Sequence, residues 1–264
     1  MIELKTPDEI EAVAAAGRVV ERVLAAVRGA ARPGLRPVDL DALAADLIAD
    51  AGARPSFPGY HPSWAPRPFP GPLCVSVNDA VVHGIPTATP LRPGDLLSVD
   101  LAVHLDGWCA DAAFTAPVGD VSVADAALVD AAWRSLEAGI AVLVPGARMG
   151  DVGFAIAGVA RPAGYGLMEG FGGHGLGRAM HEDPPVPNEA RPGRGLTLQT
   201  GMVLALEPML IAGGRDAYRV DPDGWTLRTA DGSRAAHVEH TVAVTADGPR
   251  VLTRTADDRV PAAS

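Results

Sequence analysis

Two histidines, His174 and His181, sit in the stretch GGHGLGRAMHEDP (172–184), a run too rich in glycine for a good helix. Glycine adds no stability there, so the run implies a close approach that tolerates no side chains, beside two imidazoles able to hold something. Carboxylates join them from other segments. In LLSVDLAVHLDGWCADAAFT (96–115), Asp106-Gly107 signals a hairpin turn. A two-residue turn pairs Leu105 with Trp108, His104 with Cys109 and Ala102 with Asp111. Asp100 and Asp111 are then diagonal neighbours on one face, with Cβ atoms within ~7–8 Å. Their flanks, Leu97, Val99, Leu101, Ala110 and Ala112, are apolar. Facing carboxylates in such surroundings repel unless a cation lies between them. The alternative is a pair of solvent-facing positions on a half-exposed hairpin.

Glu207 ends the apolar run of GMVLALEPML (201–210), where a buried carboxylate needs either a cation or a buried arginine. Glu239, in HVEHTVAV (237–244), shares a strand face with His237 and Thr241, opposite Val238, Val242 and Val244. Alone it reads as an ordinary strand glutamate. Together, Asp100, Asp111, His174, Glu207 and Glu239, expected from separate strands and a glycine-rich loop, make a hard, oxygen-rich donor set suited to Mn²⁺, Fe²⁺, Co²⁺ or Zn²⁺. Four negative charges exceed the need of one divalent ion. Two ions ~3.5–4 Å apart, bridged by carboxylates and a hydroxide, would balance them.

These residues must be carried by several elements. Thr6-Pro7-Asp8-Glu9 reads as a capping box opening a helix that runs to about Ala30, with Ile10, Val13, Val20, Leu24 and Val27 inward. A second helix is expected over Val38–Asp50. Residues 53–73, rich in proline and aromatics, read as an irregular ordered loop or lid. Strands are expected at 74–77, 96–103, 108–115, 202–207, 209–212 and 237–244, and helices at 123–143 and 149–160. PGLRPVDL (33–40) resembles PGARMGDV (145–152), each between a long helix and a shorter one. That repeat suggests a duplicated α-then-β unit, with a site at the seam of the halves.

With these segments in hand, the chain resembles the type I methionine aminopeptidases of the pita-bread metallopeptidase family. The resemblance rests on SVNDAVVHGIP (76–86), SVDLAVHLDGWCAD (98–111), GGHGLGRAMHEDP (172–184), GMVLALEPML (201–210), DGWTLRTADGS (223–233) and HVEHTVAV (237–244). It implies an α+β pita-bread (creatinase/aminopeptidase) fold, with two pseudo-symmetric halves around an antiparallel sheet and helices on the outer face. It also implies one catalytic domain over 1–254 and a short tail over 255–264. By the same resemblance Asp100 chelates one of two divalent ions (Co, Mn, Fe or Zn), Asp111 and Glu239 bridge both, and His174 and Glu207 complete the second. His83 reaches the scissile amide and His181 hydrogen-bonds the substrate carbonyl. Glu207 accepts and returns the proton, and Tyr60, His61 and Trp225 belong to the methionine pocket. The implied reaction is removal of the N-terminal methionine from nascent chains by hydroxide attack, with a small second residue preferred.

The chain departs from that family in a longer 60–74 loop, which adds Trp64 and Phe69, and in Met180, where an aromatic residue is common. Both changes touch the pocket. The rival readings are an X-Pro aminopeptidase, which usually carries an extra N-terminal domain, and a non-catalytic paralogue that binds only.

The net charge of −10 argues against general nucleic-acid binding. Of the 22 basic residues only Lys5 is a lysine. The first residues lack a secretory apolar core, and no apolar run reaches the ~20 residues of a membrane span. Two cysteines make no disulfide framework, so a reducing cytoplasm is expected. No zinc-finger-like or ribosome-docking arm precedes Thr6, so a bare catalytic domain is expected. The family suggests a monomer, with the ribosome exit region as a further expected contact.

Overall fold

The first helix, α1 (Pro7–Ala30), begins at the capping box read from the sequence: the Thr6 side chain accepts from Glu9 N–H, and the Glu9 carboxylate accepts from Thr6 N–H. A computed structural model describes residues 2–254, so the tail expected over 255–264 lies outside the described residues. Helix α2 (Pro37–Asp50) follows, then strands β1 (Arg54–Pro55), β2 (Cys74–Val77), β3 (Ala80–Val82), β4 (Asp95–Leu105) and β5 (Trp108–Val118). Helices α3 (Val123–Ala141) and α4 (Met149–Ala160) open the second half. After them come β6 (Gly166–Leu167), β7 (Gly172–Gly175), β8 (Glu182–Pro187), β9 (Val203–Leu206) and β10 (Met209–Ile211). The last strands are β11 (Tyr218–Val220), β12 (Leu227–Thr229), β13 (Ala235–His237), β14 (Glu239–Thr245) and β15 (Gly248–Val251).

The main sheet is antiparallel and runs β1-β4-β5-β14-β9-β7-β8, with β2 also on β4 and β15 on β14. The helices cover it in two pairs. Val13, Val20, Leu24, Leu40 and Ile48 of α1 and α2 bury against Leu97, Val99 and Leu101. Leu128, Leu136, Val152 and Ile156 of α3 and α4 bury against Leu204, Leu206 and Val242. Trp133 packs against both clusters and so bridges the halves.

The internal repeat is structural. Gly34 and Gly146 both take positive φ, at 86° and 92°. Asp39 and Asp151 each accept the backbone N–H of the arginine three residues earlier, Arg36 and Arg148, at the start of their helix. Gly34 N–H donates to Leu91 O, and Gly146 N–H donates to Leu198 O. Each half thus folds its turn onto an equivalent extended segment.

The Asp106-Gly107 hairpin has the expected register, with Leu105 opposite Trp108, His104 opposite Cys109 and Ala102 opposite Asp111. Three expectations change. The run 172–175 is not a loop but the strand β7, paired with β8 and β9. The strand expected over 202–207 stops at Leu206, before the Glu207-Pro208 break. The strand expected over 237–244 divides at Val238: β13 pairs with β10, whereas β14 pairs with β5 and β9. Residues 53–73 are an ordered loop that meets the sheet through β1 and Ser56, whose N–H donates to Ala102 O and whose hydroxyl contacts His104 Nδ1, and that is tied to α2 by Leu73 N–H on Asp41 Oδ1.

Candidate metal centre

The five candidate donors come from strands in sheet order across the seam: Asp100 from β4, Asp111 from β5, Glu239 from β14, Glu207 just past β9, and His174 from β7. Only Glu239–Ala113 and His240–Ala112 join β5 to β14 in register. Hydroxyls stitch the rest of the seam. Thr241 Oγ1 accepts Asp111 N–H at 3.0 Å and donates to Asp111 O at 2.7 Å. Thr115 Oγ1 does the same for His237, at 2.9 and 2.7 Å. The backbone bearing the carboxylates is therefore held on both sides of the seam.

Asp111, His174 and Glu239 each bring a donor atom within 4.8 Å of the other two, and Glu207, His237 and Glu239 do likewise. Glu239 belongs to both groups. Asp100 and Asp111 lie close enough for one carboxyl, when protonated, to donate to the other. Burial, then the charges of Asp111 and Glu207, raises Asp100 well above the usual carboxylate range. Burial and the Glu207 charge push Asp111 up to about 7. Burial alone pushes Glu207 up to about 8, and burial with the Asp111 charge raises Glu239 strongly. Among the described residues no arginine or lysine pairs with these four groups. Asp100 Oδ1, Asp111 Oδ1 and Glu239 Oε1 are buried without a partner. Bringing such carboxylates together without countercharge is costly, and a divalent cation supplies it. The residues fit a metal.

The imidazoles are prepared differently. His174 Nδ1 donates to Gly175 O at 2.9 Å, which leaves the Nε2 lone pair facing Glu207 Oε1 at 3.8 Å. Burial, with the neighbouring His181, lowers His174 to about 3, so the ring is neutral. The glycines around it are required by the chain itself. A Cβ on Gly173 would stand 1.9 Å from Ala205 O, and one on Gly175 would stand 2.2 Å from Asp183 O. What approaches the run is the backbone of its neighbouring strands.

His181 lies on the rim, its ring 4.4 Å from that of His174, with Tyr60 Oη 3.2 Å from its Nδ1. His83 takes a left-handed φ of 58°, and its Nδ1 is buried without a partner. Burial, then the charges of His237 and His181, lowers His83 to about 4.

These groups open on a cavity of about 270 Å³, at the small end for ligand pockets. Its apolar wall is Phe57, Phe69, Cys74, Met180 and Trp225, with Trp64 and Tyr60 at the mouth. Trp64 stacks on His83 at 6.1 Å and meets Trp225 edge-on at 4.9 Å. Phe69 is buried against Trp225. Every expected site residue lines this cavity except His61, which faces Ala65 O at 3.1 Å and braces its own loop. Sequence reasoning did not assign Phe57, Cys74, Phe171 or His237 to the site. His237 alone left a signal, since it shares a strand face with Glu239.

The profile of Metallopeptidase family M24 matches residues 11–246. The chain is 51% identical over 260 residues to Methionine aminopeptidase 1 of Mycobacterium tuberculosis (strain CDC 1551 / Oshkosh), covering 96% of this chain and 95% of that protein. It is 39% identical over 254 residues to Methionine aminopeptidase 1 of Bacillus subtilis (strain 168), covering 96% and 100%. Among solved structures, the methionine aminopeptidase of Thermotoga maritima superposes with a TM-score of 0.92 at 39% identity, over 97% of this chain and 100% of that one. The prolidase of Pyrococcus furiosus superposes at 0.75 with 20% identity, over 96% and 65%, and shares the fold.

Proposed function

The chain belongs to metallopeptidase family M24, and we propose that it removes the N-terminal methionine from polypeptides at the carboxylate cluster above. The observation that carries this reading is the convergence on one small cavity of a neutral histidine and four carboxylates, none paired with an arginine or lysine among the described residues and three with a buried oxygen that has no partner. Similarity to methionine aminopeptidases extends across nearly the whole chain, so an X-Pro peptidase or a binding-only paralogue is not favoured.

Asp100, Asp111, Glu239, Glu207 and His174 would hold two divalent ions (Co, Mn, Fe or Zn), with Asp111 and Glu239 shared. When bound, the ions supply a water acidified to react near neutral pH and a Lewis acid for the substrate carbonyl. Glu207 would be the group to accept a proton from the attacking water and return it to the leaving amine. His181 must donate from Nε2 to stabilise the carbonyl oxygen as it gains charge. Its Nδ1 is then an acceptor, and the Tyr60 hydroxyl donates to it at 3.2 Å. His83, neutral and buried beneath Trp64, is placed to meet the scissile amide. The polarizable wall of Cys74, Met180 and Trp225 suits a thioether, and the confined mouth favours a small second residue.

In the same reading residues 1–254 form one catalytic domain, since both helix layers cover one sheet whose seam carries the site. It acts as a monomer on nascent chains near the ribosome exit region. A cytoplasmic setting accords with Cys74 and Cys109 being free, and no described helix is long and apolar enough to cross a membrane.

The test is turnover of Met-Ala-Ser and Ala-Pro peptides by metal-stripped protein reloaded with Mn²⁺, Fe²⁺ or Co²⁺, beside Asp111→Ala. Methionine release that needs metal and falls by at least about 100-fold in the variant supports the reading. Cleavage of the X-Pro peptide alone would overturn it.

A further inference from the structure

His237 is the last residue of β13, two residues before Glu239, and only 2% exposed. Its backbone is fixed on both sides by Thr115 Oγ1, whose hydroxyl also contacts Ser98 Oγ at 2.7 Å. The backbone that carries the ring is thus fixed, and the ring itself is enclosed by the core. Its Nε2 is buried without a hydrogen-bond partner and lies 3.4 Å from Glu207 Oε2. The other Glu207 oxygen, Oε1, faces His174 Nε2 at 3.8 Å. The Glu207 carboxylate thus sits between two imidazoles, one opposite each oxygen.

The two imidazoles are not equivalent. His174 Nδ1 already donates to Gly175 O, so its Nε2 is a bare lone pair and presents no hydrogen to the carboxylate. His237 Nε2 has no hydrogen-bond partner and lies 3.4 Å from Glu207 Oε2, so a small turn of the carboxylate lets a proton on that nitrogen be donated to it. Glu207 also lacks a strand to hold it, since β9 ends at Leu206 and Pro208 follows. Among the donors it is the one whose orientation the sheet ladder does not set. A carboxylate that binds a cation through one oxygen is commonly held by a hydrogen bond to the other.

We propose that His237 is a positioning residue of the metal centre: its Nε2–H donates to Glu207 Oε2 and holds Oε1 toward the ions beside His174. The proposal rests on the reading of the carboxylate cluster as a metal site, and it adds a side chain outside that five-residue donor set.

The experiment compares wild type, His237→Ala and His237→Gln in metal-free form, with folding checked by thermal melts. Co²⁺ is titrated into each by calorimetry, and the visible absorption of the loaded protein is recorded. The expected result is a 10- to 100-fold loss of Co²⁺ affinity in His237→Ala. His237→Gln, which keeps an N–H donor, should return to within a few fold of wild type with an unchanged spectrum. In a Glu207→Ala background, His237→Ala should lower affinity no further. At saturating Co²⁺, His237→Ala should lower kcat on Met-Ala-Ser while KM stays within about twofold. Wild-type affinity in His237→Ala would overturn the proposal and leave the metal centre standing. A His237→Gln variant as weak as His237→Ala, with a shifted spectrum, would mean direct ligation by the ring and would also overturn it. A wild-type protein that takes up no Co²⁺ would overturn the metal-site reading, and this proposal with it.

Discussion

At the scale of single residues, what distinguishes the site is buried carboxylate oxygens left unsatisfied by the chain. Asp100, Asp111 and Glu239 each have one buried oxygen without a partner, and His83 and His237 each have one such nitrogen. Elsewhere carboxylates find arginines: Asp216 and Glu189 clasp Arg161, and Asp79 and Asp221 clasp Arg228. The contrast locates the chemistry without reference to any motif. His181 is a different kind of residue, a rim donor whose tautomer depends on Tyr60. His181→Ala should lower kcat by about 10²–10³-fold, as loss of an oxyanion donor does, with KM little changed. Tyr60→Phe removes only the hydroxyl on Nδ1 and should cost about fivefold. Steady-state kinetics on Met-Ala-Ser, with both variants loaded with the same metal, measures both.

At the scale of elements, a short strand and a buried ion pair aim the imidazoles. β7 runs so close to β9 that Gly173 has no room for a side chain, since a Cβ there would stand only 1.9 Å from Ala205 O. Gly173→Ala must push the strands apart and carry His174 with them. It should cost about 1–3 kcal/mol of stability and weaken Mn²⁺ binding, read by urea melts and metal titration. The turn after β7 is anchored from the chain start. Lys5 is buried, its Nζ 2.5 Å from Glu182 Oε2 and packed against Gly177. Lys5→Met leaves the half-buried Glu182 carboxylate without its cation but still accepting Ala179 N–H, and urea unfolding should register a loss of about 1–3 kcal/mol. The four helices and the β4–β5 hairpin are readable in sequence because their signals are local: a capping box, 3.6-residue periodicity, an Asp-Gly turn. β7 is not, because GGHG offers no alternation of apolar and polar side chains. Its strand character comes from partners distant in sequence. The split of 237–244 at Val238 is hidden for the same reason, since only the pairing to β10 or to β9 distinguishes its two parts. Pocket residues such as Phe57 and Phe69 carry no spacing signal, and only the folded loop brings them to Trp225.

At the scale of the whole molecule, two halves with matching turns meet along a seam joined by two register pairs and a set of hydroxyls, and the carboxylates line that seam. Without a cation, the folded state must carry four buried acids. Their pKa values are raised, to about 7 for Asp111 and about 8 for Glu207. The folded protein therefore holds protons that the unfolded chain, titrating near about 4, has already lost. Stability from these groups is greatest at low pH and falls as pH rises from about 4 toward about 8. The buried rings of His83, His174 and His237, lowered to about 4, about 3 and about 3, act in the opposite sense below about pH 6.5, so the carboxylates are read above it. Metal-stripped protein should melt lower at about pH 8 than at about pH 6.5, and Mn²⁺ should raise the melting temperature more at the higher pH. A melting temperature independent of pH across that window, or a larger metal effect at its lower end, would contradict this.

The decisive experiment for the metal centre is an anomalous difference map from crystals soaked with Mn²⁺ and methionine. Two peaks about 3.5–4 Å apart are expected, enclosed by Asp100, Asp111, His174, Glu207 and Glu239. A methionine side chain is expected among Cys74, Met180 and Trp225. Peaks elsewhere, none at all, or methionine bound away from that cavity would contradict the assignment.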